Sequence, residues 1–178
     1  MTLFHAVLAF VLAQRGGELL LARANTARLL RRGAVEIDRG GYKYIVALHA
    51  AWLVALFVAV PAATLPNWPL LGLFGVLQAA RIWVIASLGR RWTTRLIVLP
   101  GSPLVAAGPY RWLRHPNYLI VAGEVAILPL AFAAVAIAVA FSACNGLLLA
   151  RRVHLENAAV RFHIRNGGDE AGQFVASV

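Results

Sequence analysis

The side chains best equipped for chemistry lie in two places. The first is the run Gly108-Pro109-Tyr110-Arg111-Trp112-Leu113-Arg114-His115-Pro116-Asn117-Tyr118, which joins two long apolar stretches. Its two arginines, one histidine and two tyrosines resist being stripped of water, so the run is expected where water or a polar ligand meets lipid. The second is Arg152 and Glu156, four residues apart. On a helix that spacing stacks two side chains on one face, about 5–6 Å apart at Cβ. Two uses stay open at this point: an ion pair closing the helix end, or two separate grips, a guanidinium for an anionic group and a carboxylate that accepts from hydroxyls or amines.

The elements that must position these groups are membrane helices. The chain has 178 residues, of which 61% are hydrophobic and 13% charged, with a mean hydropathy of +0.73. Those values belong to an integral membrane protein, read as one membrane domain over residues 1–178. A spanning helix needs about 20 mostly apolar residues. Five windows qualify, over residues 2–21, 44–63, 69–88, 118–134 and 135–153. Gln14, Arg15 and Glu18 interrupt the first, which lacks the basic leader and cleavage site of a secretory signal and is therefore expected to be a retained helix. Between the last two, Pro129 is expected to mark the bend of a helical hairpin.

Basic residues set the orientation. Arg23, Arg28, Arg31, Arg32, Arg39 and Lys43 flank the first loop, Arg90, Arg91, Arg95, Arg111 and Arg114 the third, and Arg151, Arg152, Arg161 and Arg165 the tail. The second loop, around Thr64–Trp68, and the turn near Pro129 carry none. Basic loops stay in the cytoplasm, which predicts an all-α protein with the N-terminus outside and the C-terminus cytoplasmic. The Ala, Arg and Val bias points to a GC-rich bacterial genome, and so to a bacterial inner membrane. The net charge of +10 is spread over helix ends with no stripe of stacking aromatics, which argues against nucleic acid. The single cysteine, Cys144, excludes an internal disulfide and a cysteine-based zinc site, and is expected to be a small packing residue.

Polar residues inside the spans need partners. Arg15 and Glu18 are spaced to pair on one helix, while Gln78, Arg81 and Glu124 are candidates for a buried pairing or for the site. Ser142 and Asn145 are expected to bond between helices, His49 to be a satisfied packing residue, and the tryptophans to favour interfaces. The linker 96–109 is broken by Pro100, Gly101, Pro103, Gly108 and Pro109, and its Leu96-Ile97-Val98-Leu99 and Leu104-Val105 segments read as extended backbone.

In order along the chain, Leu104-Val105, Gly108, Tyr110, Arg114-His115-Pro116-Asn117-Tyr118, then Arg152 and Glu156, resemble the isoprenylcysteine carboxyl methyltransferase family over residues 89–160. The resemblance implies an integral-membrane enzyme that takes a methyl group from S-adenosylmethionine, with no metal. It implies a cytoplasmic connector and a C-terminal helical hairpin that cradle this cofactor through Ser102, Pro103, Leu104, Val105, Tyr110, His115, Pro116, Asn117, Tyr118 and Glu156. Arg152 matches the arginine beside the methyl-accepting group, and Arg95 lies near a further cofactor contact. Asn157 stands where relatives often carry a second acid, and the short tail lacks the lid of longer relatives.

The chemistry of these residue types suits such a ligand. Leu104 and Val105 offer an apolar surface to adenine, tyrosine and histidine offer hydrogen bonds to the amino-acid end, and Glu156 accepts from a ribose or amine. Arg152 can orient an acceptor that is already a carboxylate, whereas a phenol or enol gains from a nearby cation or base, for which Arg152 and His154 are candidates. Arg152, Glu156 and His115 are the expected catalytic residues.

The runs Gly33–Glu36, Tyr42–Tyr44, His49, Leu88–Arg95 and Val98–Gly101 are similar to a bacterial subgroup associated with type III polyketide synthases. That similarity implies O-methylation of long-chain alkylpyrones or alkylresorcinols, with isoprenylcysteine carboxyl methylation as the alternative. Either acceptor carries a long apolar chain. An NADPH-dependent membrane reductase of sterol type and a non-enzymatic transporter or scaffold are the other classes, and no internal repeat speaks for the last.

Overall fold

The computed structural model describes residues 2–99, 107–165 and 174–175. Helix α1 runs from Leu3 to Arg31 through the polar patch at its centre. Its 29 residues rise about 44 Å, more than the roughly 30 Å of hydrocarbon, so the expected span to Leu21 is the first part of a longer rod. Arg28 and Arg31 sit in its last turn, where the helix dipole favours cations. Gly33, at φ 85°, then takes the left-handed conformation that ends many helices.

Helix α2 spans Tyr42–Ala59 and α3 spans Trp68–Leu88. The side chain of Asn67 caps α3 by accepting from the Leu70 amide at 3.2 Å, and proline stands in the first turn, where a missing N–H does no harm. Helix α4 spans Pro116–Ala131 and α5 spans Val135–Arg165. Four helices are long and apolar enough to cross a membrane, and α4, at 16 residues, is shorter. The expected five spans are thus four full-length helices plus this one. Ten of its 16 residues are buried, so α4 is the inner helix on which α3 and α5 pack, which explains why it is apolar on every face.

The hairpin reverses four residues beyond the expected proline. Pro129 stays inside the last turn of α4, and its carbonyl accepts from the amides of Phe132 at 3.1 Å and Ala134 at 2.9 Å. Ala133 makes the reversal at φ 58°. The amide of Asn67 donates to the carbonyl of Ala131 at 2.7 Å, and Phe4 meets Phe132 edge-on with ring centroids 5.0 Å apart. The two uncharged loops and the start of α1 therefore share one end of the bundle. The basic loops share the other.

At that second end the mostly helical chain also carries three strands of two residues each. Strand β1, Val35–Glu36, pairs antiparallel with β2, Ile97–Val98, and β2 pairs antiparallel with β3, Phe174–Val175. Ile97 and Val98 are β-branched and buried, which suits the extended backbone predicted for this linker. Leu29, Ala34, Ile97 and Leu99 form a small core beneath the sheet, separate from the main one between the helices.

The charges inside the bundle satisfy one another. Arg81 donates to Glu18 through Nε at 2.5 Å and Nη2 at 2.6 Å, and to Glu124 through Nη1 at 3.2 Å. Arg15 bridges the same carboxylates, at 2.9 Å to Glu18 and 2.5 Å to Glu124, and Gln78 donates to Glu124 at 2.8 Å. Glu124 thus neutralises the arginines, the structural pairing that its place inside a span called for. Nδ1 of His49 bonds the carbonyl of Ile45 at 2.8 Å, as a packing histidine would. Two expectations fail: the Ser142 hydroxyl is buried without a partner among the described residues, and Cys144 is exposed. Of the five tryptophans, Trp68, Trp83 and Trp112 are exposed, while Trp52 and Trp92 lie in the core.

Candidate functional site

The start of α4 and the last turns of α5 meet at the basic end of the bundle. A 3-10 turn, Gly108–Arg111, leads into α4. Gly108 adopts φ 57° against α3, where a β-carbon would run into Ser87 Oγ, so this position demands glycine. Tyr110 follows, and burial, with the nearby Tyr118 and Glu156, pushes its phenol well above the usual tyrosine range. It therefore stays a neutral hydrogen-bonding group.

His115 precedes α4 as its N-cap but makes no capping bond, which frees the imidazole to turn toward α5. Its Nδ1 lies 3.6 Å from Oε2 of Glu156, and its ring stacks on Tyr118 with centroids 5.2 Å apart and 12° between planes. The Tyr118 hydroxyl donates to the same Glu156 oxygen at 3.1 Å. Pro116 and Asn117 are buried beside them. Both the amide nitrogen and the amide oxygen of Asn117 lack hydrogen-bond partners among the described residues, although the side chain is almost fully enclosed. An enclosed amide with neither group satisfied is uncommon, and it marks a donor and an acceptor available to a polar ligand.

Arg152 and Glu156 resolve the alternative left open by their spacing: they do not pair with each other. Arg152, 3% exposed, donates through Nη2 to the carbonyl of Thr94 at 2.9 Å, and its Nε is buried without a partner among the described residues. Glu156 faces His115 and Tyr118 instead. One helix face thus offers a guanidinium and a carboxylate at neighbouring but separate points. His154 lies between them in sequence and is exposed, so it points away from both. Ser102, Pro103, Leu104 and Val105 lie outside the described residues.

The first loop closes around this end in a way the sequence reading missed. Arg95, expected near a cofactor, bonds both oxygens of Glu36 through Nη1 at 3.1 and 3.0 Å and lies over the Tyr42 ring at 5.0 Å. The hydroxyl of Thr94 donates to that of Tyr42 at 3.0 Å. Arg151 grips Asp38 at 2.8 and 3.1 Å, and this holds the Asp38 carboxyl below its ordinary value. One signal was available: Glu36 and Asp38 are the only acidic residues between Arg32 and Lys43. Among the described residues, all five acidic side chains engage an arginine or histidine.

A bundle of apolar helices long enough to cross a membrane, which gathers the unpartnered Asn117 amide, the Arg152 guanidinium and the Glu156 carboxylate at one end, defines an integral membrane protein. The chain belongs to the isoprenylcysteine carboxyl methyltransferase (ICMT) family, whose sequence model matches residues 70–161. It is 34% identical over 163 residues to "Uncharacterized protein YpbQ" of Bacillus subtilis (strain 168), across 89% of this chain and 97% of that protein. No solved structure matches. Membership places the chain among integral-membrane methyltransferases.

Proposed function

We propose that the protein is an S-adenosylmethionine-dependent O-methyltransferase of a lipophilic acceptor, an alkylpyrone or alkylresorcinol in preference to an isoprenylcysteine, working at the cytoplasmic face of a bacterial inner membrane. The observation that carries this reading is the divergence of Arg152 and Glu156 toward different partners. Tyr110, His115, Asn117, Tyr118 and Glu156 would hold the cofactor, and the unpartnered Asn117 amide fits a ligand rich in donors and acceptors. S-adenosylmethionine supplies, when bound, a methyl group on a cationic sulfur that an acceptor oxygen can displace in line. The buried Arg152 would hold that oxygen as an anion, and neighbouring apolar walls would exclude water. A carboxylate needs no base, while a phenol loses its proton more readily beside the guanidinium.

Calorimetry of the detergent-purified protein tests the cofactor. S-adenosylhomocysteine should bind, and Glu156→Gln should weaken it about 10–100-fold through loss of a charged hydrogen-bond acceptor. Membranes given labelled methyl donor should label a lipid fraction, and Arg152→Met should abolish that labelling without removing S-adenosylhomocysteine binding. Binding of NADPH in place of S-adenosylhomocysteine would turn the reading toward a reductase. Binding of neither would leave a transporter or scaffold.

A further inference from the structure

Helices α3 and α4 are level at one end, where the amide of Asn67 donates to the carbonyl of Ala131, but not at the other. Helix α3 has 21 residues and α4 has 16, so α4 begins about 8 Å short of the far end of α3. The segment Arg111–Arg114 ahead of α4 lies at that depth. Trp83, five residues before the end of α3, meets Trp112 of this segment with ring centroids 6.2 Å apart. Gly108 holds the two parts together, since a β-carbon there would come within 3.2 Å of Trp83 Nε1. The short α4 thus leaves a recess beside the last turns of α3.

The recess faces outward. Arg111, Trp112, Leu113 and Arg114 are four consecutive exposed residues, and Trp112 is 70% exposed. Ile82 beside Trp83, and Leu119 one turn into α4, are exposed as well, so an outward indole and a leucine continue a lipid-facing surface between two guanidinium groups.

Arginines at this depth call for an anion, and the protein supplies none. Among the described residues neither Arg111 nor Arg114 forms an ion pair, because the carboxylates there are held by other arginines and by His115. Arg111 lies over the Trp112 ring at 5.7 Å, a contact that spends none of its hydrogen-bond donors on another group. The bilayer can supply the missing charge as a headgroup phosphate. A free phosphate has no apolar part to cover Trp112 and Leu113, and a zwitterionic headgroup brings a cation of its own.

We propose that this recess binds one anionic phospholipid from the leaflet at the basic end of the bundle, with its phosphate between Arg111 and Arg114 and its chains against Trp83 and Trp112. The proposal rests on the fold and the unpaired charges, and it stands or falls apart from the methyltransferase reading.

Native mass spectrometry of the detergent-purified full chain, titrated with phosphatidylglycerol or phosphatidylcholine, tests it. One phosphatidylglycerol should be retained about tenfold or more tightly than phosphatidylcholine. Arg111→Gln together with Arg114→Gln should weaken its binding about 30-fold. The control, Arg31→Gln together with Arg32→Gln, removes two exposed charges from the same end of the bundle and should leave the retained lipid unchanged. Trp112→Ala keeps both arginines, so it reports on the site even if the glutamine pair disturbs folding, and it should weaken binding about 2–5-fold.

Equal retention of the two lipids would overturn the assignment, as would equal losses in the two charge-matched double variants or a Trp112→Ala protein that binds as the native one does. Displacement of the lipid by inorganic phosphate alone would overturn it too, because the arginines would then serve a soluble anion.

Discussion

Glu124 is the carboxylate on which the interior of the bundle most depends. It is 1% exposed and accepts from Arg15, Arg81 and Gln78, three side chains on two other helices. Replacing it with leucine fills similar space but leaves two guanidinium groups facing the single carboxylate of Glu18. Removing one member of a buried ion pair typically destabilises by about 3–5 kcal/mol, because the remaining charge keeps its desolvation penalty. For a chain of this size each kcal/mol shifts the thermal midpoint by about 2–4 °C, so Glu124→Leu should melt roughly 6–20 °C below the native protein. The assay is loss of far-ultraviolet dichroism on heating in detergent micelles. A second substitution checks the cause: Arg81→Met together with Glu124→Leu leaves only the neutral pair Arg15–Glu18. The double variant should therefore be less damaged than the sum of its singles, by about 1–3 kcal/mol. A single variant that melts within about 1 °C of the native protein, or a double variant that is simply additive, would refute the claim that neutralisation holds these helices together.

Three further outcomes follow from local geometry. Gly108→Ala should destabilise by about 1–3 kcal/mol, since it imposes a left-handed backbone on alanine as well as a collision with Ser87; combining it with Ser87→Ala should recover only part of the loss in thermal midpoint. Ala133→Gly should raise the midpoint by relieving the positive φ of the α4–α5 turn, a gain of about 1 kcal/mol. Asp38 has a folded pKa below its ordinary value, so its tie to Arg151 contributes in full above the ordinary carboxylate range and is lost as pH falls through the depressed value. The protection of the amides of residues 38–42, taken relative to their intrinsic exchange rates, should therefore fall on acidification below about pH 4 in the native protein, whereas Asp38→Asn should show low protection at every pH.

Much of this was legible in the chain because the bilayer restricts what a sequence can do. A long apolar run has to be a helix, and a charge within it has to find a partner, which is why Arg15, Glu18, Arg81 and Glu124 could be singled out before their contacts were known. The spacing of Arg152 and Glu156 correctly placed them on one helix. It could not tell which way each turned, because that depends on Thr94 and Tyr118, which approach from other parts of the chain. The α4–α5 turn was misplaced for a related reason: a proline in a last helical turn forfeits few bonds, so Pro129 marks the neighbourhood of the break and not its position.

The basic loops were the least readable part, and the structure explains why. Their order comes from pairings across long stretches of chain, Glu36 with Arg95 and Asp38 with Arg151, and from strands of two residues that carry no periodic signal. These same pairings link the first half of the protein to the motif region. Arg95 lies over Tyr42, Tyr42 bonds Thr94, and the Thr94 carbonyl takes Arg152. Tyr42 and Thr94 also line a cavity between α1, α2 and α3. The residue proposed to hold the acceptor is therefore positioned by this loop. A substitution in that loop, such as Tyr42→Phe, should disturb the choice of acceptor before it disturbs binding of S-adenosylhomocysteine, because the bonds that set His115, Tyr118 and Glu156 do not pass through it.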